Sequence, residues 1–190
     1  MKRKRRSFRK KRLAIDPKRV VAYDESSAKT NMTRLRGRTF DGQRLVEATP
    51  AGHWQTTSML SSLRLDGTTA AMSLEGPVDR DAFDAYVEQI LLPTLKPGDI
   101  FLLDNLNVHK SPKAKALIEG AGAQVLFLPP YSPDLNPIEG MWSKAKAILR
   151  KIKARTREDL NAAIGTALQS ITPDDAAGWF KHCGYVYTQS

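Results

Sequence analysis

Hydrophobic and polar positions alternate in short blocks along this chain. Residues 19–23 (RVVAY) form a β-branched apolar run that predicts a strand ending at Asp24. A mostly polar stretch follows. Residues 44–48, 56–65 and 68–74 then read as strands, with Gly42, Gly52 and Asp66-Gly67 as turn signals. Asp66-Gly67 between two strand-like runs predicts a hairpin, because both residues tolerate the backbone of a tight turn. A helix is expected next. Asp79 is placed to cap it, Phe83, Tyr86, Val87, Ile90 and Leu91 share one face, and it stops near Pro97-Gly98. Residues 100–103 (IFLL) form a buried-type strand ending at Asp104, and Ser111-Pro112 starts a short helix that closes by 120–122. Residues 124–128 (QVLFL) are a third buried-type strand, stopped by Pro129-Pro130. Two helices are expected after Pro137, separated near 155–156.

Strands first, then alternating helix and strand, then helices predict an α/β domain with a mixed sheet flanked by helices. A chain of 190 residues, 41% hydrophobic and 26% charged, suits one such domain and is too short for two comfortable ones. No apolar run reaches the ~18 residues needed to cross a bilayer, so no membrane partner is expected. The single cysteine, Cys183, makes neither an internal disulfide nor a zinc site. The net charge of +10 is concentrated in the first twelve residues, which hold nine Lys/Arg and no acid. The body is thus nearly neutral. Residues 1–17 are expected to be a basic, disordered arm and 18–190 the folded domain. The arm suits phosphate contacts, a localisation tag or a plain solvated tail.

Asp24 and Asp104 each close an apolar run. Singly, such residues are turn formers or helix caps. If their strands are neighbours, both carboxylates meet at the carboxyl edge of the sheet, where open α/β folds gather ligands. Converging carboxylates repel, a cost that a divalent cation relieves. Oxygen donors without a Cys/His cluster favour magnesium or manganese over zinc.

Glu139 is the third acid. In LPPYSPDLNPIEGMW, Asn136 and Glu139 have the spacing of a helix-capping pair, with Pro137 at the first helical position. Helical phase adds a second reading. Ile138, Met141, Trp142, Ala145, Ile148, Leu149 and Ile152 make one apolar stripe, with Trp142 as core anchor, while Glu139, Ser143, Lys146, Arg150 and Lys153 make a polar face beside it. An acid at the sheet end with cations farther along suits a phosphodiester substrate.

Three blocks, YDESSAKTNMT with the following RLRGR, FLLDNLNVHK and LPPYSPDLNPIEGMW, together with the closing WFKHCGY, resemble the catalytic domain of mariner-type transposases, and specifically the bacterial insertion-sequence family six-thirty. Thirty-four residues separate Asp104 from Glu139, the spacing of that family's Asp-Asp-Glu triad. The resemblance spans roughly 19–187. It implies a ribonuclease H-like fold, a five-stranded mixed sheet whose first and fourth strands carry Asp24 and Asp104 side by side, with Glu139 on a late helix. It also implies metal-dependent cleavage of transposon-end DNA and strand transfer into target DNA, with Asp24, Asp104 and Glu139 as catalytic metal ligands. Two magnesium or manganese ions ~4 Å apart suit this chemistry. A homo-oligomeric active complex and a bacterial cytoplasmic, nucleoid-associated setting are implied as well. Full-length relatives carry helix-turn-helix domains, which the basic arm does not resemble. The chain is therefore read as the second frame of a frameshifted element, beside a separately encoded helix-turn-helix segment, or as a truncated copy. A nuclease or resolvase of the same fold, and a non-catalytic DNA-binding remnant, are the alternatives.

Further residues are weighed against plainer roles. If the first strand continues past Asp24, Glu25 points to the opposite face and is a secondary candidate. His109 is a candidate DNA or water contact, or a hydrogen-bonded loop histidine. Arg34, Arg36 and Arg38 share one face of an extended segment, facing DNA or solvent. Trp54 and Trp179 are read as packing residues.

Overall fold

A computed structural model describes residues 2–40 and 42–186. The end of the expected domain, from residue 187 to Ser190, lies outside the described residues. Strands β1 (Val20–Lys29), β2 (Thr56–Leu63), β3 (Thr69–Glu75), β4 (Ile100–Leu103) and β5 (Gln124–Phe127) form one sheet in the order β3-β2-β1-β4-β5. β1–β2 and β2–β3 are antiparallel, whereas β1–β4 and β4–β5 are parallel. This is the expected mixed sheet, with the first and fourth strands adjacent.

Side-chain alternation along the strands divides the core into two layers. Val20, Ala22, Met59, Leu63 and Leu102 face helices α4 (Ile138–Ile152), α5 (Arg157–Gln169) and α6 (Pro173–His182). Val21, Tyr23, Leu60, Phe101 and Leu103 face α2 (Arg80–Tyr86) and α3 (Pro112–Gly120). Local signals start these helices as expected: Asp79 accepts from the Ala82 amide, and Ser111 from the Ala114 amide. The helix after Asp79 does not stay regular. It passes through a π-helical stretch, Val87–Leu91, and a 3-10 turn, Leu92–Thr94. At the β2–β3 hairpin Gly67 has φ +83°, and an added Cβ there would meet the Thr172 backbone at 3.0 Å, so glycine serves both the turn and the close approach.

Several expectations are corrected. β1 does not end at Asp24. It runs to Lys29, because antiparallel pairing with β2 continues to Lys29↔Thr56. Residues 44–48 form no strand and lie in the exposed connection between β1 and β2. Three helices follow Pro137, not two. The extra one, α6, begins with a capping box in which Thr172 and Asp175 satisfy each other's backbone amides. The basic arm is not disordered: Lys2–Arg12 is helix α1. A short helix bearing nine like charges is unstable alone. Here tertiary contacts hold it. Phe8 is buried in the α4–α6 layer, Arg5 forms a two-bond ion pair with Asp134 (2.9 and 2.7 Å), and Arg12 donates to the Cys183 carbonyl. No helix among the described residues is long and apolar enough to cross a membrane.

Candidate active site

β4 pairs with β1 only over Val20↔Ile100 to Ala22↔Leu102. Extending that parallel register brings Asp24 level with Asp104 on the same face of the sheet. Beyond this point β1 leans on β2 alone, and a gap opens between the two strands. The first turn of α4 closes the gap from above and carries Glu139. Asp24, Asp104 and Glu139 line one cavity of about 320 Å³ together with Leu128, Pro129 and Asn136.

The capping-pair reading of Asn136 and Glu139 does not hold. No side chain caps α4; Asn136 instead donates from Nδ2 to the Tyr23 carbonyl at 3.1 Å, pinning the helix start to β1. Among the described residues Glu139 has no side-chain partner, and it stands exposed at the edge of the cavity. The apolar stripe of α4 is buried as expected at Ile138, Met141, Trp142, Ala145 and Leu149, while Ile152 at its end is exposed.

Electrostatics separate the three acids. Burial, then the charges of Glu139 and Glu25, push the Asp24 carboxyl up to about 7. Burial also raises Glu139, with Lys146 pulling the other way. Asp104 ends below the ordinary carboxylate range: burial raises it, but hydrogen bonds from His109 and from the Leu106 amide outweigh that. Asp24 has no ion-pair partner among the described residues. The side chains share the cavity without pinching together, and among the described residues no three His, Cys, Asp or Glu groups converge on a single ion-sized point.

Other candidate residues sort clearly. His109 is not a DNA contact, because its side chain is fully buried. Its Nδ1 lies 2.6 Å from Asp104 Oδ1 and its Nε2 lies 2.6 Å from Glu25 Oε1. Burial lowers its basicity, but the bonds to Asp104 and Glu25 push it up to about 9. Glu25 does point to the face opposite Asp24. Lys146 lines a depression adjoining the main cavity, beside Asp24 and Glu25, and Arg150 is half-buried one helical turn farther on. Lys153 lies past the helix end with φ 59° and is ion-paired with Glu47, so it does not continue the free basic face. Arg34, Arg36 and Arg38 are exposed but lie in irregular backbone, so strand alternation does not align them. Trp179 packs against the core, whereas Trp54 is 51% exposed, beneath the Lys29 ammonium. Arg5 is a residue that sequence reasoning alone does not single out. Its guanidinium bonds the Tyr131 carbonyl, Ser132 and Asp134, tying α1 to the loop that walls the cavity. The unmatched acid in the SPDL segment is the one sequence signal for it.

Comparison with known proteins agrees with this geometry. The family described as DDE superfamily endonuclease matches residues 19–161. The "Transposable element Tcb1 transposase" of Caenorhabditis briggsae is 32% identical over 107 residues, covering 50% of this chain and 39% of that protein. Among solved structures, a Mos1 transposase paired-end complex with the left transposon end superposes with a TM-score of 0.72 at 16% identity, over 95% of this chain and 56% of that one. A mariner Mos1 paired-end complex with Mg gives 0.70 at 17% identity, over 96% and 56%. The Mos1 catalytic domain gives 0.67 at 14% identity, over 95% and 84%. The ribonuclease H-like fold is thereby shared, and this chain spans less than two thirds of the length of the full transposases it matches.

Proposed function

Because this chain belongs to the DDE superfamily of endonucleases, we propose that it is the catalytic part of a DNA transposase, cutting the ends of a mobile element and joining them to target DNA. The presence of Asp24, Asp104 and Glu139 in the lining of one cavity carries this reading. The donor set is all carboxylate oxygen, which fits magnesium or manganese. The raised Asp24 carboxyl marks negative charge that the protein itself leaves uncompensated. Asp24, Asp104 and Glu139 are proposed to hold two such ions. Ions held there would supply activation of the attacking water or 3′-hydroxyl and stabilisation of the leaving oxygen. The chain's own part is positional: β1 supplies Asp24, the end of β4 supplies Asp104, and α4 supplies Glu139. Leu128, Pro129 and Pro130 limit water on one wall.

The DNA path follows from charge. Lys146 and Arg150 continue from the cavity along α4. α1 adds Lys2, Arg3, Lys4, Arg6, Lys10 and Lys11, all solvent-facing in whole or part and none ion-paired among the described residues. Anchored through Arg5 to the cavity wall, this helix suits a phosphodiester backbone entering the site. Arg34, Arg36 and Arg38 are proposed as further contacts on the exposed β1–β2 connection. The Mos1 complexes with transposon-end DNA and with Mg support DNA and a divalent ion as partners here, and their paired-end arrangement supports a homo-oligomer. Recognition of terminal repeats is assigned to a helix-turn-helix segment outside residues 1–190. The motifs favour a bacterial element of the six-thirty insertion-sequence family, acting on DNA in the cytoplasm.

The test is cleavage of element-end duplexes with magnesium or manganese. EDTA and Asp104→Asn should each abolish product while circular dichroism stays native. Parent-like cutting by Asp104→Asn refutes the triad. Faster cutting of branched DNA or RNA–DNA hybrids than of element ends makes the protein a resolvase or nuclease instead.

A further inference from the structure

Asp104 stands one residue beyond the last ladder pair of β4, Leu103↔Phe127. The sheet no longer fixes its backbone there. A carboxylate that is to hold a cation against Asp24 needs its orientation set by something else.

The two oxygens of Asp104 are treated unequally. Oδ1 takes the Leu106 amide at 3.0 Å and His109 Nδ1 at 2.6 Å. Oδ2 has no hydrogen-bond partner among the described residues, although the residue lines the cavity. The imidazole is itself held from three sides. Tyr23 meets it edge-on at 5.4 Å, Phe83 lies 5.0 Å away, and Glu25 Oε1 holds Nε2 at 2.6 Å. Glu25 belongs to the central strand, paired with Leu60 of β2, and directly follows Asp24. Neighbouring residues of a strand face opposite ways, so Asp24 reaches the cavity while Glu25 reaches under the β4 end. The bond series Glu25–His109–Asp104 therefore references one acid of the site to the strand that carries the other.

The geometry points to Glu25 and His109 as positioning residues, which turn Asp104 so that Oδ1 is bound by the protein and Oδ2 alone is offered to a divalent cation. This rests on the role proposed above for Asp104. It explains why a fully buried imidazole sits among aromatic side chains that would otherwise form an apolar cluster. It also gives Glu25 a task outside the set of cation-holding acids.

Mn2+ binding to the full chain without DNA, read by electron paramagnetic resonance and calorimetry, tests this directly. His109→Ala should weaken Mn2+ by about 10- to 100-fold, the usual effect of losing a partner of a metal ligand. Cleavage kcat should fall in parallel, while KM for DNA and DNA affinity in EDTA stay near the parent values. Glu25 supplies the second arm should His109→Ala fail to fold. Glu25→Asp keeps the charge but withdraws the oxygen from Nε2, and should lose Mn2+ affinity. Glu25→Gln keeps the reach, and should retain more affinity than Glu25→Asp. Parent-like Mn2+ affinity in the folded variants, or Glu25→Asp matching or exceeding Glu25→Gln, overturns the positioning role. If Asp104→Asn abolishes cleavage in the same experiments, only the positioning role falls. If Asp104→Asn cuts like the parent, the functional reading falls with it.

Discussion

Gly140 offers a test of how Glu139 is held. It occupies the first turn of α4, one residue after the acid, and faces α6. A Cβ built there would lie 2.5 Å from Trp179 Cγ and 2.7 Å from Nε1. These atoms belong to the body of a partly buried ring packed on the core, not to a mobile tip. Gly140→Ala therefore sets two effects against each other. Helix propensity favours alanine by about 1 kcal/mol. Overpacking against the indole costs about 1–3 kcal/mol. The net expectation is a loss of up to about 2 kcal/mol, or a Tm drop of a few degrees for a chain of this size. With Trp179→Leu as background the clash disappears, and the same substitution should stabilise by about 1 kcal/mol. Urea and thermal unfolding of the four proteins measure the coupling. Cleavage should suffer more than stability in Gly140→Ala, because a shift of about 1 Å in a catalytic group costs about 100-fold in rate. Equal stabilisation by Gly140→Ala in both backgrounds would refute the contact between α4 and α6 beside Glu139.

Two further perturbations probe the frame and the DNA path. Arg64 and Asp99 form a buried ion pair (3.2 and 2.6 Å) that ties the end of β2 to the start of β4, so Asp99→Ala should cost about 3–5 kcal/mol in chemical denaturation. Burial raises the Asp99 carboxyl, but the bonds from Arg64 and the Lys96 amide bring it below the ordinary range. The stabilisation is therefore full above about pH 4 and lost as pH falls through the folded value, an acid-side loss that should be absent in Asp99→Ala. Replacing Lys2, Arg3, Lys4, Lys10 and Lys11 by glutamine should leave Tm nearly unchanged but flatten the salt dependence of duplex binding, by about 0.9 in log–log slope for each phosphate no longer neutralised. An unchanged slope would remove α1 from the DNA path.

What is legible in the sequence, and what is not, divides by the range of the forces involved. Ser111, Asp79 and Asp66-Gly67 act on amides two or three residues away, and their helices and hairpin stand where the sequence places them. The apolar stripe of α4 is equally local and marks its buried face. β1 looks short in sequence because Asp24, Glu25, Ser26 and Ser27 resemble a loop; only pairing with β2, more than thirty residues away, keeps them extended. Asn136 carries a sound local signal for capping, yet a bond to Tyr23, 113 residues distant, claims its side chain instead. α1 looks disordered because charge repulsion is visible in sequence and its anchors at Asp134, Cys183 and the core are not. His109 has no assignable role without Glu25, 84 residues away. These misses concentrate around the cavity. Acids and serines in a central strand defy β propensity, a buried imidazole between two acids defies apolar patterning, and Asp24 is held where its own charge is disfavoured. Each departure costs stability that an apolar residue would not, and each leaves an oxygen or a cation facing the same gap between β1 and β4, or holds one in place. A sequence under pressure only to fold has no reason to gather such costs at one edge of its sheet, so the places where local rules fail point to the same candidate site as the motif does.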